Sequence, residues 1–486
     1  MKILFCASEM VPFVKTGGLA DVAGALPKAL AKLGHEVKVV LPRYYAIDRS
    51  ALEHIPGPLG VEMGPLGTLW AGVFKTTLEN VEVYFIDYER YFGRNGLYAD
   101  ERGFSYEDND QRFIFFSKAV LNLAKKIGFQ PDILHANDWH TAAVPILHNI
   151  QNDPHFAKSA SLFTIHNLQH QGIFDRHAFS YLQIGWEHFN PLEMEAMGAL
   201  NLLKGAVFHA DAITTVSPTY AKEIQTPQFG FGLHDHIRAH SYKLFGILNG
   251  VDYEEWNPAT DPYIAKNYDL EDMEGKASCK ADLQRAFHLE ENPHIPLVGF
   301  VGRLAEQKGI SLIAQTIEGL LHLPAQYVLL GAGEKWAEGF FSDIAARYPN
   351  FSCYIGYSNE LAHKIEAGSD LFLMPSLFEP CGLNQIYSLR YGTLPIVHAV
   401  GGLEDTIVNF DPQSKAGDGF KFYDPSAHAL YHTTKWAVDT WIHDKEGIAK
   451  MQRFAMSQRF SWQRSAKAYE DLYHYAYYQK RVKGLQ

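Results

Sequence analysis

Two doubly wound, Rossmann-like α/β lobes are the fold this 486-residue sequence predicts, and three observations predict it. Short apolar runs bounded by turn residues alternate with longer segments of helical period, as in parallel βαβ units. That rhythm breaks near residue 250 and then restarts. The composition, 47% hydrophobic and 20% charged, suffices for more than one large core, and ~100–200 residues per domain gives two or three domains.

In chain order, the first expected strand is Lys2–Cys6. Its apolar run ends by Glu9, short of the ~7–15 residues of a signal-peptide core, so it reads as a buried strand. Helix Ala20–Leu33 follows a Gly-rich turn, and strands Glu36–Val40 and Val81–Ile86 come next. Gln111–Lys126 carries apolar residues at three-to-four spacing and reads as a helix. Strand Ile133–His135, helix His140–Asn149 and strands Ser161–Ile165 and Ala212–Val216 complete a first sheet. The second sheet is expected from strands Leu297–Val301, Gln326–Leu330, Ser352–Ile355, Leu371–Met374 and Pro395–His398, with helices Ile310–Leu321, Glu360–Ala367 and Leu383–Tyr391. Asn249–Asp252 and the Pro-punctuated Trp256–Pro262 read as a linker. The aromatic-rich tail reads as an amphipathic helix packing on one lobe. The expected divisions are 1–248, 249–460 and 461–486.

Lys and Arg total 43 against 55 Asp and Glu, a net charge of -12, which provides no general field for a nucleic-acid backbone. The cysteines, Cys6, Cys279, Cys353 and Cys381, are far apart with no C-x-x-C pair, so a reducing, cytoplasmic compartment is expected. No run of ~18 uncharged apolar residues is present, so no membrane span is expected.

The candidate chemistry lies where expected strands end. Lys15-Thr16-Gly17-Gly18-Leu19-Ala20-Asp21 joins the first strand to its helix, where glycines allow close backbone approach and helix-start N–H groups favour an anion. It matches neither the dinucleotide fingerprint nor the P-loop. An ordinary turn with a solvated lysine is the plain alternative. His135 to His140 and Thr164 to Leu168 end two further strands and gather an aromatic, a carboxylate, imidazoles and amides, an inventory suited to sugar. In the second lobe Arg303 and Lys308 leave a strand as the chain enters a helix, so two cations five residues apart are expected to straddle a diphosphate; surface charges at a helix start are the alternative, disfavoured because cations oppose the dipole there. Pro375 to Gln385 presents Glu379 and a helix start together, and Gly401-Gly402 adds a close-approach loop. Cys381 has no His or Asn pattern of a nucleophile, so packing is expected of it. A metal site from His135, Asp138 and His140 is disfavoured because alternate strand residues face opposite ways. Asp108-Asn109-Asp110 matches the D-x-D of metal-dependent transferases, but it precedes a helix and is expected to cap it.

The motifs around Lys15–Val22, Asp138–Thr141, Thr164–Asn167, Gly302–Gly309 and Phe378–Leu383 resemble, in order and along nearly the whole chain, the bacterial glycogen synthase family and the catalytic part of plant starch synthases. The resemblance implies a GT-B fold with an interlobe cleft and retaining transfer of glucose from ADP-glucose to an α-1,4-glucan such as glycogen. It implies no metal and no cofactor. It puts donor phosphates against Lys15, Gly17, Gly18, Arg303, Lys308, Leu383 and Asn384, with Asp21 and Cys381 in the same motifs. Glucose hydroxyls are expected at His166, Asn167 and Glu379, the sugar and acceptor side at Tyr98, Asp138, Trp139 and Asn249, and adenine on Tyr357. Among these, His166, Arg303, Lys308 and Glu379 are the expected catalytic set. Leu377, Asn384 and His398 stand where the family commonly has Arg, Thr and Arg, departures that bear on phosphate contacts. The beginning of the chain at its first strand leans towards a bacterial member. A starch synthase chain, a pyridoxal-dependent glucan phosphorylase and a non-catalytic sugar binder are the alternatives.

Overall fold

The computed structural model describes residues 1–483, which form two compact units. The first comprises Met1–Gly250 together with the C-terminal helix Trp462–Lys483, and the second is Val251–Ser461.

The first unit contains strands β1 (Lys2–Cys6), β2 (Glu36–Pro42), β3 (Glu53–Glu62), β4 (Thr68–Leu78), β5 (Val81–Asp87), β6 (Ile133–Asn137) and β7 (Ala160–Ile165). It continues with β8 (Ile173–Phe174), β9 (Glu195–Ala196), β10 (Ala199–Asn201), β11 (Ala212–Thr215) and β12 (Leu244–Gly246). Nine of these make one sheet in the order β12-β11-β7-β6-β1-β2-β5-β4-β3, and β8, β10 and β9 make a small antiparallel one. The large sheet is parallel from β12 to β5, but β4 runs antiparallel to β5 and β3 to β4. This edge hairpin corrects the expectation of a uniformly doubly wound sheet. Its residues escaped the sequence reading because one face is exposed and the apolar alternation is interrupted by Pro56, Gly57, Pro58 and Gly60.

Helix Gly18–Lys32 packs its apolar face on this sheet and ends where Gly34, at φ +93, supplies the left-handed exit. The C-terminal helix lies against it and against β7. There Tyr469 and Tyr473 are fully buried, and the Tyr473 hydroxyl meets His135 Nδ1 at 2.8 Å.

The second unit contains β13 (Leu297–Val301), β14 (Gln326–Gly331), β15 (Phe351–Ile355), β16 (Leu371–Met374), β17 (Leu394–His398) and β18 (Phe420–Phe422). They pair in the order β15-β14-β13-β16-β17-β18, all parallel. Helices Glu274–Ala286, Lys335–Arg347, Ala427–His443 and Lys445–Ser457 add to those the sequence showed.

The expected linker is not loose beyond residue 250. Trp256 is sandwiched between His363 and Tyr387, with ring centroids at 3.9 and 4.0 Å and both planes within 7° of parallel. Asp261 is buried and binds His363 Nδ1 at 2.7 Å and the Tyr391 hydroxyl at 2.5 Å. Pro-rich composition marked turns correctly, but the aromatic and acidic residues between them are core of the second unit. Among the described residues no helix is long and apolar enough to cross a membrane.

Candidate active site

In the first unit β1 lies between β2 and β6, so the chain leaves the sheet in opposite directions on its two sides. Open α/β sheets bind ligands outside the strand ends at such a switch. The loops after β1, β6 and β7 carry the sequence-identified residues there.

After β1, the buried Glu9 carboxylate accepts both the Thr16 N–H (2.5 Å) and the Thr16 hydroxyl (2.8 Å). Burial pushes the Glu9 carboxyl above the usual range. Sequence reading missed this residue; a carboxylate three places beyond a buried strand was its only signal. The loop it shapes presents Lys15, paired to Asp21 at 2.7 Å. Burial raises the Asp21 carboxyl, with the Lys15 ammonium opposing. Gly17 is extended, at φ −156. A Cβ on Gly18 would meet nothing within 4 Å, and one on Gly17 only Glu9 Oε1 at 3.8 Å. The chain's own packing therefore does not require either glycine, and the space above them is open. By contrast, Cβ atoms on Gly401 and Gly402 would lie 2.0 Å from Glu379 O and 1.9 Å from Cys381 O. That close-approach loop approaches the chain's own backbone.

Asp138, at the end of β6, has φ +57 with ψ 176, a strained conformation that is nearly confined to glycine. It is held there because its N–H donates to Thr164 O (2.9 Å) while its Oδ1 accepts the His166 N–H (2.8 Å). Burial pushes its carboxyl up to about 7. His166 follows β7 and is driven by burial down to about 3, so it is neutral at physiological pH. Its tautomer follows from the neighbours: Asn137 Nδ2 donates to Cys6 O (3.0 Å), which turns Asn137 Oδ1 towards His166 Nε2 at 2.9 Å. Nε2 thus carries the proton and Nδ1 is an acceptor. The sequence places Asn137 among the amides of this rim without a role of its own, since an Asn inside a buried strand gives no periodic signal of its partners.

Tyr98 donates to or accepts from Ser8 Oγ at 2.6 Å and stacks on His140 at 4.4 Å. Trp139 is buried against His140 and Phe113, so its ring is wall rather than an open stacking platform. Asn167 Oδ1 accepts the Gln169 N–H at 3.0 Å. Asn249 is buried with its Oδ1 unpartnered.

In the second unit the switch lies between β13 and β16. Arg303 and Lys308 leave β13 as expected in sequence, but a 3₁₀ turn, Glu306–Lys308, and the left-handed Gly309 precede the helix. The cations therefore sit on a loop and not on a helix N-terminus. Arg303 donates to Gln307 Oε1 at 3.1 Å. Lys308 Nζ reaches across the switch to Glu379 Oε2 at 2.6 Å, and the Ser376 hydroxyl donates to the same oxygen at 3.0 Å. Gln307 closes the two loops together: its O accepts the Leu377 N–H (2.9 Å) and its Nε2 donates to Phe378 O (3.3 Å). Cys381 is buried, Leu383 precedes helix Asn384–Arg390, and Asn384 Nδ2 donates to Val301 O at 2.8 Å. His398 binds Ser376 O at 2.7 Å and stacks on Phe422, so it supports the Glu379 loop from beneath. Tyr357 is 86% exposed.

The expected helix cap at Asp108 is corrected. Asp108 occupies the cap position of helix Asn109–Lys126 without capping it, because its two oxygens bind the Arg94 guanidinium at 2.7 and 2.5 Å. That bidentate pair leaves the D-x-D look-alike an ion pair.

The model described as "Starch synthase catalytic domain" matches residues 2–239, and that for "Glycosyl transferases group 1" matches residues 284–457. Glycogen synthase 1 of Geobacter sulfurreducens is 54% identical over 480 residues, covering 97% of this chain and 96% of its own. The chain belongs to the glycogen synthase family. The glycogen synthase of Treponema denticola, at 44% identity, covers 97% of this chain and 98% of its own. The catalytic domain of starch synthase IV from Arabidopsis thaliana, solved bound to ADP and acarbose, superposes with a TM-score of 0.89 at 32% identity, over 98% of this chain and 99% of that one. Sucrose-phosphate synthase of Thermosynechococcus elongatus, at 18% identity and TM-score 0.58 over 98% of each chain, shares the fold alone. This member of the glycogen synthase family is thus a glycosyltransferase with the two Rossmann-like lobes of GT-B.

Proposed function

We propose that the chain transfers glucose from ADP-glucose, with retention, to the non-reducing end of an α-1,4-glucan, and that it does so without a divalent ion in the reaction. Family membership supports the reaction class. The single observation that carries the residue roles is the Lys308–Glu379 pair across the switch of the second sheet, with Arg303 on the same loop.

Breaking the glucosyl–phosphate bond puts negative charge on the leaving diphosphate and positive charge on the sugar. An ammonium has three donors, and Glu379 engages one of those of Lys308. The remaining two, with the Arg303 fork, are assigned to diphosphate oxygens, where fixed cations lower the barrier by several kcal/mol. Both neighbours of Glu379 use its Oε2, which leaves Oε1 for a glucose hydroxyl. Leu383 and Asn384 amides and the Lys15–Gly18 loop are assigned to the phosphates, with Asp21 orienting Lys15. Tyr357 is assigned to adenine, and Asn167 to a sugar hydroxyl. Neutral His166 offers Nδ1 to a second one, and the Asp138 turn, with Tyr98, Trp139 and Asn249, shapes the acceptor side. Cys381 acts by packing. A cytoplasmic location accompanies a nucleotide-sugar donor.

The test is ADP release coupled to glucose incorporation into glycogen, with ADP-glucose and UDP-glucose in competition and chelator present. ADP-glucose is expected to be preferred, with incorporation unaffected by the chelator. Arg303→Ala and Lys308→Ala are each expected to lower kcat by ~10²–10³. Unchanged kcat in both variants, or transfer that stops when magnesium is removed, overturns the assignment.

A further inference from the structure

A cluster of side chains in the first unit, apart from the strand-end loops, has the composition of a metal site. His188 ends the 3₁₀ turn Trp186–His188, Glu193 lies in the segment before β9, and His209 ends helix Leu202–His209, which leads into the amino end of β11. One oxygen joins all three: Glu193 Oε2 is 2.8 Å from His188 Nδ1 and 2.9 Å from His209 Nε2. The potential ligand atoms all lie within 4.8 Å of one another.

The His188 contact is a well-formed hydrogen bond, but the one from His209 is not: its Nε2 is buried and makes no aligned hydrogen bond despite the 2.9 Å separation. A hydrogen bond requires the ring nitrogen to point along the N···O line. A shared ion requires the opposite, two ligand atoms aimed past one another at a common point, which is how His209 Nε2 meets Glu193 Oε2; at His188 an entering ion takes the place of the Nδ1 proton and of its hydrogen bond to Oε2. With metal–ligand bonds of ~2.1 Å, atoms 2.8–2.9 Å apart subtend roughly 90° at the ion, the angle of neighbouring ligands in a five- or six-coordinate site.

The surroundings hold the ligands in place. Asn190 Nδ2 donates to Glu193 Oε1 at 3.0 Å, and Asn190 Oδ1 accepts the Leu192 and Glu193 N–H groups. Asn149 Nδ2 lies 2.9 Å from His209 Nδ1, the contact in which Nδ1 accepts and Nε2 keeps the proton; rotating the amide by 180°, which exchanges two groups of the same shape, places its oxygen there instead, so that it accepts Nδ1–H and frees Nε2 as a ligand. The side chains of His209, Glu193 and His188 are 2%, 14% and 26% exposed, so the open positions of an ion here face solvent and take water.

We propose that His188, Glu193 and His209 bind one divalent ion of the zinc class, which ties the segment carrying His188 and Glu193 to the helix beneath it. Two imidazoles and one carboxylate select borderline ions over magnesium or calcium. The role is structural and separate from transfer, because none of the three ligands belongs to the strand-end loops. An ion that binds only the folded state raises its stability.

The experiment is a zinc titration of the full chain stripped with chelator, followed by calorimetry and thermal unfolding, with magnesium as comparator. One zinc equivalent is expected to bind and raise Tm, and magnesium to do neither. His188→Gln, at the most exposed of the three ligands, is expected to weaken zinc at least tenfold while leaving kcat and the metal-free Tm as they are. Anomalous scattering at the zinc edge from crystals of the unaltered chain is expected to peak among the three side chains. Zinc affinity in His188→Gln equal to that of the parent, or anomalous density elsewhere, overturns the proposal, and neither result touches the glucosyl-transfer reading.

Discussion

At the scale of single residues, burial decides the charge state of the groups around the first unit's strand ends. Asp138 has its folded carboxyl pushed up to about 7, against ~3.9 in an unfolded chain. Between those values the folded protein holds a proton that the unfolded chain has lost. Stability from this group is therefore largest at low pH, declines as pH rises through that window, and is level above about pH 7. Asp138→Asn cannot titrate, so its Tm is expected to fall less than that of the parent between pH 5 and 7.5; parallel Tm curves would contradict the buried-acid account. Neutral His166 gives the complementary case: with its imidazole down at about 3, no inflection in kcat between pH 5 and 8 belongs to it. The sequence showed both residue types at the right strand ends, but not their protonation, which depends on how much water the fold removes.

At the scale of elements, the informative parts are the loops and what they press against. Gly309 has φ +73, and a Cβ there would lie 2.1 Å from Pro375 O. Gly309→Ala is expected to cost at least ~2 kcal/mol and to lower kcat as well, because it separates the Lys308 and Glu379 loops; denaturant unfolding and ADP release read the two effects. Trp256 was legible only as part of a turn-rich stretch, yet it fills the slot between His363 and Tyr387. Trp256→Ala is expected to destabilise the second unit by ~3–5 kcal/mol, and a loss below 1 kcal/mol would mean that the stacked rings are not core. The edge hairpin β3–β4 and the Arg94–Asp108 pair were equally hidden, the first because a half-exposed strand with Pro and Gly loses its alternation, the second because ion-pair partners fourteen residues apart leave no local pattern.

At the scale of the whole molecule, the chain leaves the first unit at Gly250 and returns to it at Trp462. The returning helix supplies buried Tyr469 and Tyr473, and Tyr473 hydrogen-bonds His135 inside β6. Tyr473→Phe is expected to cost about 1 kcal/mol in thermal unfolding of the first unit, whereas ending the chain at Ser461 exposes that core and is expected to leave the first unit insoluble. A net charge of -12 accompanies this arrangement, so the cations assigned to the donor are local features and not part of a general field. The sequence by itself determined the α/β class, the two successive sheets and the strand ends at which Lys15, Asp138, His166, Arg303, Lys308 and Glu379 stand, because apolar period and turn residues are local properties of a chain. Only the tertiary structure decided which of these groups touch, that Lys308 meets Glu379 while Arg303 meets Gln307, which His tautomer Asn137 imposes, and that His188 and His209 converge on one oxygen of Glu193. Those are distances between parts of the chain brought together by burying apolar surface, and no local pattern records them.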